Sequence, residues 1–116
     1  MSSNKTLHEL CDELRVTRRV IQGYEKAGLV SATGRNKYGH LLYNEKAQER
    51  IVQIRIYQQL GFTIREIKEL IDAPDSFVKA AVEKQILYLK EKKKNIDIWI
   101  KEAYGIIKAI EDKEKQ

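Results

Sequence analysis

The sequence is poor in residues that crosslink or interrupt a chain, with one cysteine and one proline among 116 residues. A single thiol excludes an intramolecular disulfide framework and fits a reducing compartment, so we expect a cytoplasmic protein. No apolar run has the length of a membrane-spanning helix, and no signal-peptide pattern opens the sequence, so we expect no membrane partner. Because proline is scarce and 34% of the residues are charged, the composition predicts a helical, soluble protein.

Side chains for catalysis and metal binding are also few. A glycine-rich phosphate loop and a cleft-like cluster of acids are both missing, which disfavours an enzyme. The soft-metal ligands are His8, Cys11 and His40, and the sequence beyond His40 contains neither cysteine nor histidine. We therefore expect no metal and no cofactor, and we interpret Cys11 as a buried structural thiol.

Positive charge is concentrated in one window. The formal net charge is +5. The window from Arg15 to Arg50 contains eight Lys or Arg and three Glu, so its net charge is also +5. From Asp72 onward, ten Lys and nine acidic residues nearly balance. A localised basic patch favours double-stranded DNA as a partner over a generic solvated surface.

The window from Val16 to Tyr43 predicts a short basic helix. Thr17 is the expected N-cap, its hydroxyl accepting a first-turn N–H, and Gly28 is the expected left-handed residue after the helix. An inward face would be shared by Val20, Ile21 and Tyr24. Arg18 and Arg19 would lie in the first turn, where the helix dipole disfavours cations. An external anion resolves that conflict, and DNA is the obvious candidate.

A basic ribbon follows this helix. Its tip would be the turn-forming run from Arg35 to Gly39, and its return strand would run from His40 to Tyr43. Upstream, Thr6 and Glu9 form a capping-box pattern that opens a helix to about Leu14, with Arg15 and Val16 as the turn. Together these features predict a winged helix-turn-helix.

Two more helices are predicted before the only proline. Asn44 would cap a helix to about Leu60, and Thr63 with Glu66 would open a short one as a second capping box. The apolar face of the first of these would comprise Ala47, Ile51, Ile54 and Leu60, widened by Val52, Ile56 and Tyr57. The run from Asp72 to Asp75 would be a break.

From about Asp75 the sequence predicts one long helix with an a/d heptad pattern, called here the heptad seam. It comprises Val82, Ile86, Leu89, Lys93, Ile96, Ile100, Ala103, Ile107 and Ile110. A rod of about 50 Å cannot fold back within so short a chain, so the seam needs another molecule. The predicted plan is a mainly α protein, with a winged helix-turn-helix DNA-binding domain in residues 1–74 and a coiled-coil dimerisation helix in residues 75–116.

These residues resemble the MerR family of bacterial transcription regulators. The resemblance rests on Thr6–Leu10, on Val16–Ile21 with Tyr24–Val30, on the ribbon Arg35–Asn44 and on Leu60–Ile67. It implies a homodimer, joined by an antiparallel coiled coil, that binds a pseudo-palindromic operator and distorts promoter DNA. It also admits RNA polymerase as a partner and a small-molecule effector of unassigned identity.

On this basis a set of DNA-binding residues is predicted: Thr17, Arg18, Arg19, Gln22, Tyr24, Arg35, Asn36, Lys37 and Tyr38. Arg18 and Arg19 are the expected base readers, and the wing residues would hold the phosphates. The sequence departs from the family twice, with Gln22-Gly23 where the family has Arg-Tyr and with His40-Leu41 where it has Tyr-Arg. These departures predict weaker phosphate binding, or binding shifted to the wing residues Arg35, Lys37 and Tyr38.

Alternatives remain for each half of the chain. Tyr88, Trp99 and Tyr104 are a candidate effector pocket, although packing against a partner subunit is the favoured interpretation. The protein could also be a DNA-architectural or excision-type protein with the same fold. The two departures make a coiled-coil adaptor with a weakened DNA-binding domain a further alternative.

Overall fold

The computed structural model describes residues 3–116, which form two compact units with their boundary between Pro74 and Asp75. The chain is mostly helical with one small sheet, as the sequence predicted. The first unit carries the strands β1 to β3 and the helices α1 to α4. The second is the single helix α5.

Strand β1 (Lys5–Thr6) leads directly into helix α1 (Leu7–Leu14). The predicted capping box is confirmed, since Glu9 N donates to Thr6 Oγ1 at 3.2 Å and Thr6 N donates to Glu9 Oε1 at 3.1 Å. The helix ends at Arg15, whose left-handed φ of 54° is rare for a residue with a side chain. This sharp turn allows helix α2 to begin only three residues later.

Helix α2 (Arg18–Lys26) is the basic helix predicted from the sequence. Thr17 occupies the N-cap position with extended backbone, but its hydroxyl makes no capping bond, so that part of the prediction is wrong. The helix stops as expected, because Gly28 has a φ of +79° that side-chain-bearing residues rarely adopt. Leu29 N then donates to Tyr24 O at 3.0 Å and closes the end.

The ribbon consists of strand β2 (Gly34–Arg35) and strand β3 (Leu41–Tyr43). Both flanking strands pair antiparallel with β3, giving the order β1-β3-β2. His40 lies outside β3, so the return strand is one residue shorter than predicted. Strand β1 was not predicted, because two residues are too few to show an alternating pattern.

Helices α3 (Glu45–Gln59) and α4 (Ile64–Leu70) complete the first unit. Asn44 caps α3 by accepting from Ala47 N at 2.9 Å, as predicted. The most deeply buried side chains of the core are Ile21, Tyr24, Tyr43, Ile51, Ile54 and Ile67. Val52 and Ile56 are 41% and 50% exposed, so the predicted widening of the α3 inner face holds only for Tyr57.

Helix α5 (Asp75–Glu114) is one uninterrupted helix of 40 residues. None of its residues is buried in the single chain. Along the heptad seam, five isoleucines are 40–50% exposed: Ile86, Ile96, Ile100, Ile107 and Ile110. An apolar stripe of this length is unusual on a solvated helix.

Candidate nucleic-acid interface

Helix α2 buries one side and exposes a polar one. Ile21 and Tyr24 are 0% and 2% exposed and fix the helix in the core. Arg18, Arg19 and Gln22 are exposed on the other side. The helix therefore presents two guanidinium groups and an amide to a ligand without using them for packing.

Tyr24 belongs to the core and not to the exposed surface. Its hydroxyl donates to Gln58 Oε1 on α3, and burial raises its pKa against the opposing effect of the nearby Arg55 guanidinium. The sequence allowed either a core position or a phosphate contact for Tyr24; the structure shows the core position, and the contact with DNA stays a prediction. The tyrosine ties α2 to α3.

A second tyrosine ties the ribbon to the same helix. Tyr43 on β3 is fully buried, and its hydroxyl donates to Glu25 Oε1 on α2. Burial and this bond to a carboxylate both raise the pKa of Tyr43, so the phenol stays neutral. The position of the wing relative to α2 is thus fixed in part by a partly buried hydrogen bond.

The tip of the wing is organised by Asn36. Its Oδ1 accepts from the N–H groups of Tyr38 and His40, each at 3.0 Å, as in an Asx turn. Asn36 N also donates to His40 O at 3.0 Å, and Gly39 has a φ of +81°. Asn36, predicted to contact DNA, therefore acts in this structure as the residue that shapes the turn.

The other predicted wing residues lie on its outer surface. Arg35 donates to Gly39 O at 2.7 Å, which orients its guanidinium along the turn. The Lys37 ammonium lies 5.1 Å from the ring centroid of Tyr38, and Tyr38 is 71% exposed. A cation stacked on an exposed aromatic ring is well suited to contact a phosphate and its sugar.

A cavity of about 270 Å³, called here the wing cleft, lies between α1, α2 and the wing. Its polar side chains are Thr6, His8, Arg18, Gln22 and His40. No acidic residue of the described chain lines it. The sequence analysis did not group these residues, because they are distant in sequence and meet only through the fold.

A second cavity, called here the α3 hollow, has a volume of about 260 Å³ and lies between α2 and α3. Arg19 and Gly23 of α2 line it, together with Arg55 of α3. Arg18 and Arg19 therefore line different cavities. Arg55 was missed from the sequence, because its helical position alone does not indicate that it faces α2.

Arg50 contributes to the basic count but not to free positive charge. Its Nε donates to Leu29 O at 2.7 Å, and its two terminal nitrogens donate to Asp72 Oδ1 and Oδ2 at 2.6 and 2.9 Å. The hydrogen bonds from Arg50 lower the pKa of Asp72, and Asp72 raises the pKa of Arg50. The pair joins the loop after α2 to the segment after α4.

Cys11 is half-buried on α1, and burial raises the pKa of its thiol. No group of three or more His, Cys, Asp or Glu in residues 3–116 is placed to hold a metal ion. Over the same residues, no helix combines the length and apolar character needed to span a membrane.

The candidate effector residues do not meet in one chain. Tyr88 and Trp99 are each 56% exposed and are separated along α5 by about 16 Å, from eleven residues at the helical rise. Tyr104 is 68% exposed and projects from a different side of the helix, at the angle set by about 100° per residue. A pocket formed by these rings would require a second surface.

The family comparisons agree with this geometry. The model of the MerR HTH family regulatory protein matches residues 5–74, and the model described as MerR, DNA binding matches residues 48–103. Nodulation protein NolA of Bradyrhizobium elkanii is 34% identical over 70 residues, 60% of this chain and 32% of NolA. The HTH-type transcriptional activator mta of Bacillus subtilis is 33% identical over 82 residues, 71% of this chain and 32% of that protein. The chain spans about a third of the length of these curated relatives.

Solved structures show the same fold. The N-terminal part of the Bacillus subtilis multidrug transporter activator, MtaN, has a TM-score of 0.69 at 29% identity, covering 84% of this chain and 92% of that one. HiNmlR, described as a MerR family regulator lacking the sensor domain and bound to promoter DNA, has a TM-score of 0.70 at 16% identity, covering 84% and 78%. With a family model matched across the first unit and this fold shared, the chain belongs to the MerR helix-turn-helix family of regulatory proteins.

Proposed function

We propose that the chain is a homodimeric, sequence-specific transcription regulator that binds a pseudo-palindromic operator in double-stranded DNA. The observation that carries the proposal is the exposed basic side of α2 beside a rigid basic wing. Arg18 and Arg19 would read bases in the major groove, while Thr17 and Gln22 contact the backbone nearby. Lys37, Tyr38 and Arg35 would hold phosphates from the wing.

Base readers and phosphate contacts differ in how they respond to sequence. Arg18→Ala and Arg19→Ala should each weaken operator binding by about 1–3 kcal/mol and leave random DNA less affected. Lys37→Ala should weaken both and reduce the salt slope by about one unit. Fluorescence anisotropy on operator and scrambled duplexes separates these outcomes. If the two substitutions weaken binding equally on both duplexes, the arginines contact phosphates and not bases.

The second half of the proposal is a dimer through α5. The heptad seam leaves five isoleucines 40–50% exposed in the single chain, and a second copy would cover them. The flanking rings of Tyr88, Trp99 and Tyr104 would pack against that partner, with a small effector pocket at the dimer surface as the alternative.

The mechanism we propose is control through DNA shape, with RNA polymerase acting on the realigned promoter. Two α2 helices held apart by an antiparallel coil must meet half-sites in successive major grooves. Where the spacing does not fit, the DNA bends or untwists, at about 1–6 kcal/mol for 40–90°. Circular-permutation gel shifts test this. Straight operator DNA in every state would leave simple occlusion as the mechanism.

A further inference from the structure

The wing cleft brings together the two histidines of the sequence. His8 comes from the start of α1 and His40 from the end of the wing turn, and the fold places both around one cavity of about 270 Å³. Arg18 and Gln22 line the same cavity from α2. Three elements thus contribute nitrogen-bearing side chains to the lining of one opening, beside the surface proposed to face DNA.

The charges around the cleft favour an anion. Arg18 supplies a permanent positive charge. Arg35 adds a second charge near His40, because its guanidinium donates to the carbonyl of Gly39, the residue before His40. The ring centroids of Tyr38 and His40 are 6.2 Å apart. Two carboxylates of α1 act on His8, and neither lines the cleft: Asp12, which lies 3.3 Å from His8 Nε2, and Glu9, which bonds Thr6 in the capping box.

We propose that the wing cleft binds one backbone phosphate of DNA, with His40 as a proton-dependent contact and His8 as a weaker one. This inference rests on the proposed DNA-binding function and adds a pH dependence to it. A neutral imidazole donates one hydrogen bond, whereas an imidazolium donates two and adds a positive charge. A phosphate in the cleft favours the charged form, so binding takes up a proton. Asp12 already pairs with His8, which leaves His40 as the main contributor.

The consequence is tighter DNA binding in mild acid. Replacing a neutral by a charge-assisted hydrogen bond strengthens binding by about fivefold. Because phosphate contacts do not depend on sequence, the effect appears on random duplex as well as on an operator. The test is fluorescence anisotropy of the full chain with a random 30-base-pair duplex at about pH 6 and about pH 8, at constant ionic strength.

We expect the wild type to bind about fivefold more tightly at the lower pH. His40→Gln should lose most of this ratio, and His8→Gln combined with His40→Gln should abolish it while circular dichroism shows the native helix content. Lys37→Gln is the matched control, because it removes a permanent charge from the same wing. It should weaken binding at both pH values and preserve the ratio.

The possible outcomes distinguish a failure of the wing-cleft inference from a failure of the proposed DNA-binding function. Equal affinity of the wild type at both pH values, or a full ratio retained by the double variant, overturns the wing-cleft inference and leaves DNA binding intact. Failure to bind any duplex at either pH overturns the proposed function itself.

Discussion

Single buried polar contacts fix the recognition surface. Tyr24 on α2 bonds to Gln58 on α3, and Tyr43 on β3 bonds to Glu25 on α2, so one phenol hydroxyl links α2 to each of these two neighbours. Neither bond was predicted, since partners 34 and 18 residues apart leave no local pattern. The sequence did show that Tyr24 lies on the inward face of α2, because that follows from helical spacing.

Tyr43→Phe tests the tie between wing and helix. The change deletes one buried hydroxyl and leaves Glu25 without its donor, so we expect the free energy of unfolding to fall by about 1–2 kcal/mol. Urea denaturation followed by circular dichroism measures this. Tyr38→Phe is the control, because Tyr38 is 71% exposed and its hydroxyl is solvated, and it should change stability little. An unchanged midpoint for Tyr43→Phe would show that the hydroxyl is dispensable.

At the scale of elements, the helices were predicted well because capping and turn residues act locally. The N-caps Thr6, Asn44 and Thr63 and the stop at Gly28 all lie where the sequence indicated. The wing cleft and the α3 hollow were not predicted, because each collects residues from separate elements. The role of Asn36 in shaping the wing turn was not predicted either, and its contact with DNA stays a prediction.

Gly23→Ala tests a glycine inside helix α2, where glycine is less favourable than alanine. A Cβ at Gly23 would meet nothing within 4 Å, and the backbone is helical, so alanine should stabilise α2 by about 0.5–1 kcal/mol. Gly28→Ala is the matched control, since the φ of +79° should make that change destabilising. Thermal denaturation compares the two. A loss of stability in Gly23→Ala contradicts the expectation.

Gly23→Ala also tests how closely DNA approaches helix α2. Gly23 lines the α3 hollow together with Arg19 and Arg55, so an added methyl group would lie where a ligand could approach α2. If stability rises while DNA affinity falls, then close approach of the DNA backbone is the reason that glycine occupies this position. If stability and DNA affinity are both preserved, the glycine has no role in binding.

A further prediction concerns the association of two chains through helix α5. Ile100→Glu places a charge in the heptad seam, and we expect the dimer to weaken by about 100-fold or more. Leu87→Glu is the control, because Leu87 is 68% exposed and lies off the seam. Analytical ultracentrifugation at micromolar concentration measures both. A monomeric wild type would contradict the proposed dimer.

For the whole molecule, three carboxylates with lowered pKa values contribute to the response to acid. Backbone hydrogen bonds from Thr6 and Thr63 lower the pKa values of Glu9 and Glu66, and hydrogen bonds from Arg50 lower the pKa of Asp72. A lowered pKa means that the ionised form stabilises the folded state above the ordinary carboxyl range. That stabilisation is lost as the pH falls through the folded-state values.

We therefore expect the urea midpoint to vary little between about pH 8 and pH 5 and to fall below about pH 4. Circular dichroism across this range is the measurement. Glu9→Gln with Glu66→Gln keeps side-chain acceptors at both caps but removes two of the titrating groups. This pair should flatten the acid limb, and an acid limb as steep as in the wild type would show that other carboxylates dominate.

The division of the chain into two units gives each its own spectroscopic reporter. The sequence has one thiol, half-buried on α1, and one indole, 56% exposed on α5. Because burial raises the pKa of the Cys11 thiol, we expect its reaction with a disulfide reagent to become faster when the first unit opens. Trp99 fluorescence responds to what covers α5. Opening of one unit and association of the other can thus be followed in the same unmodified sample.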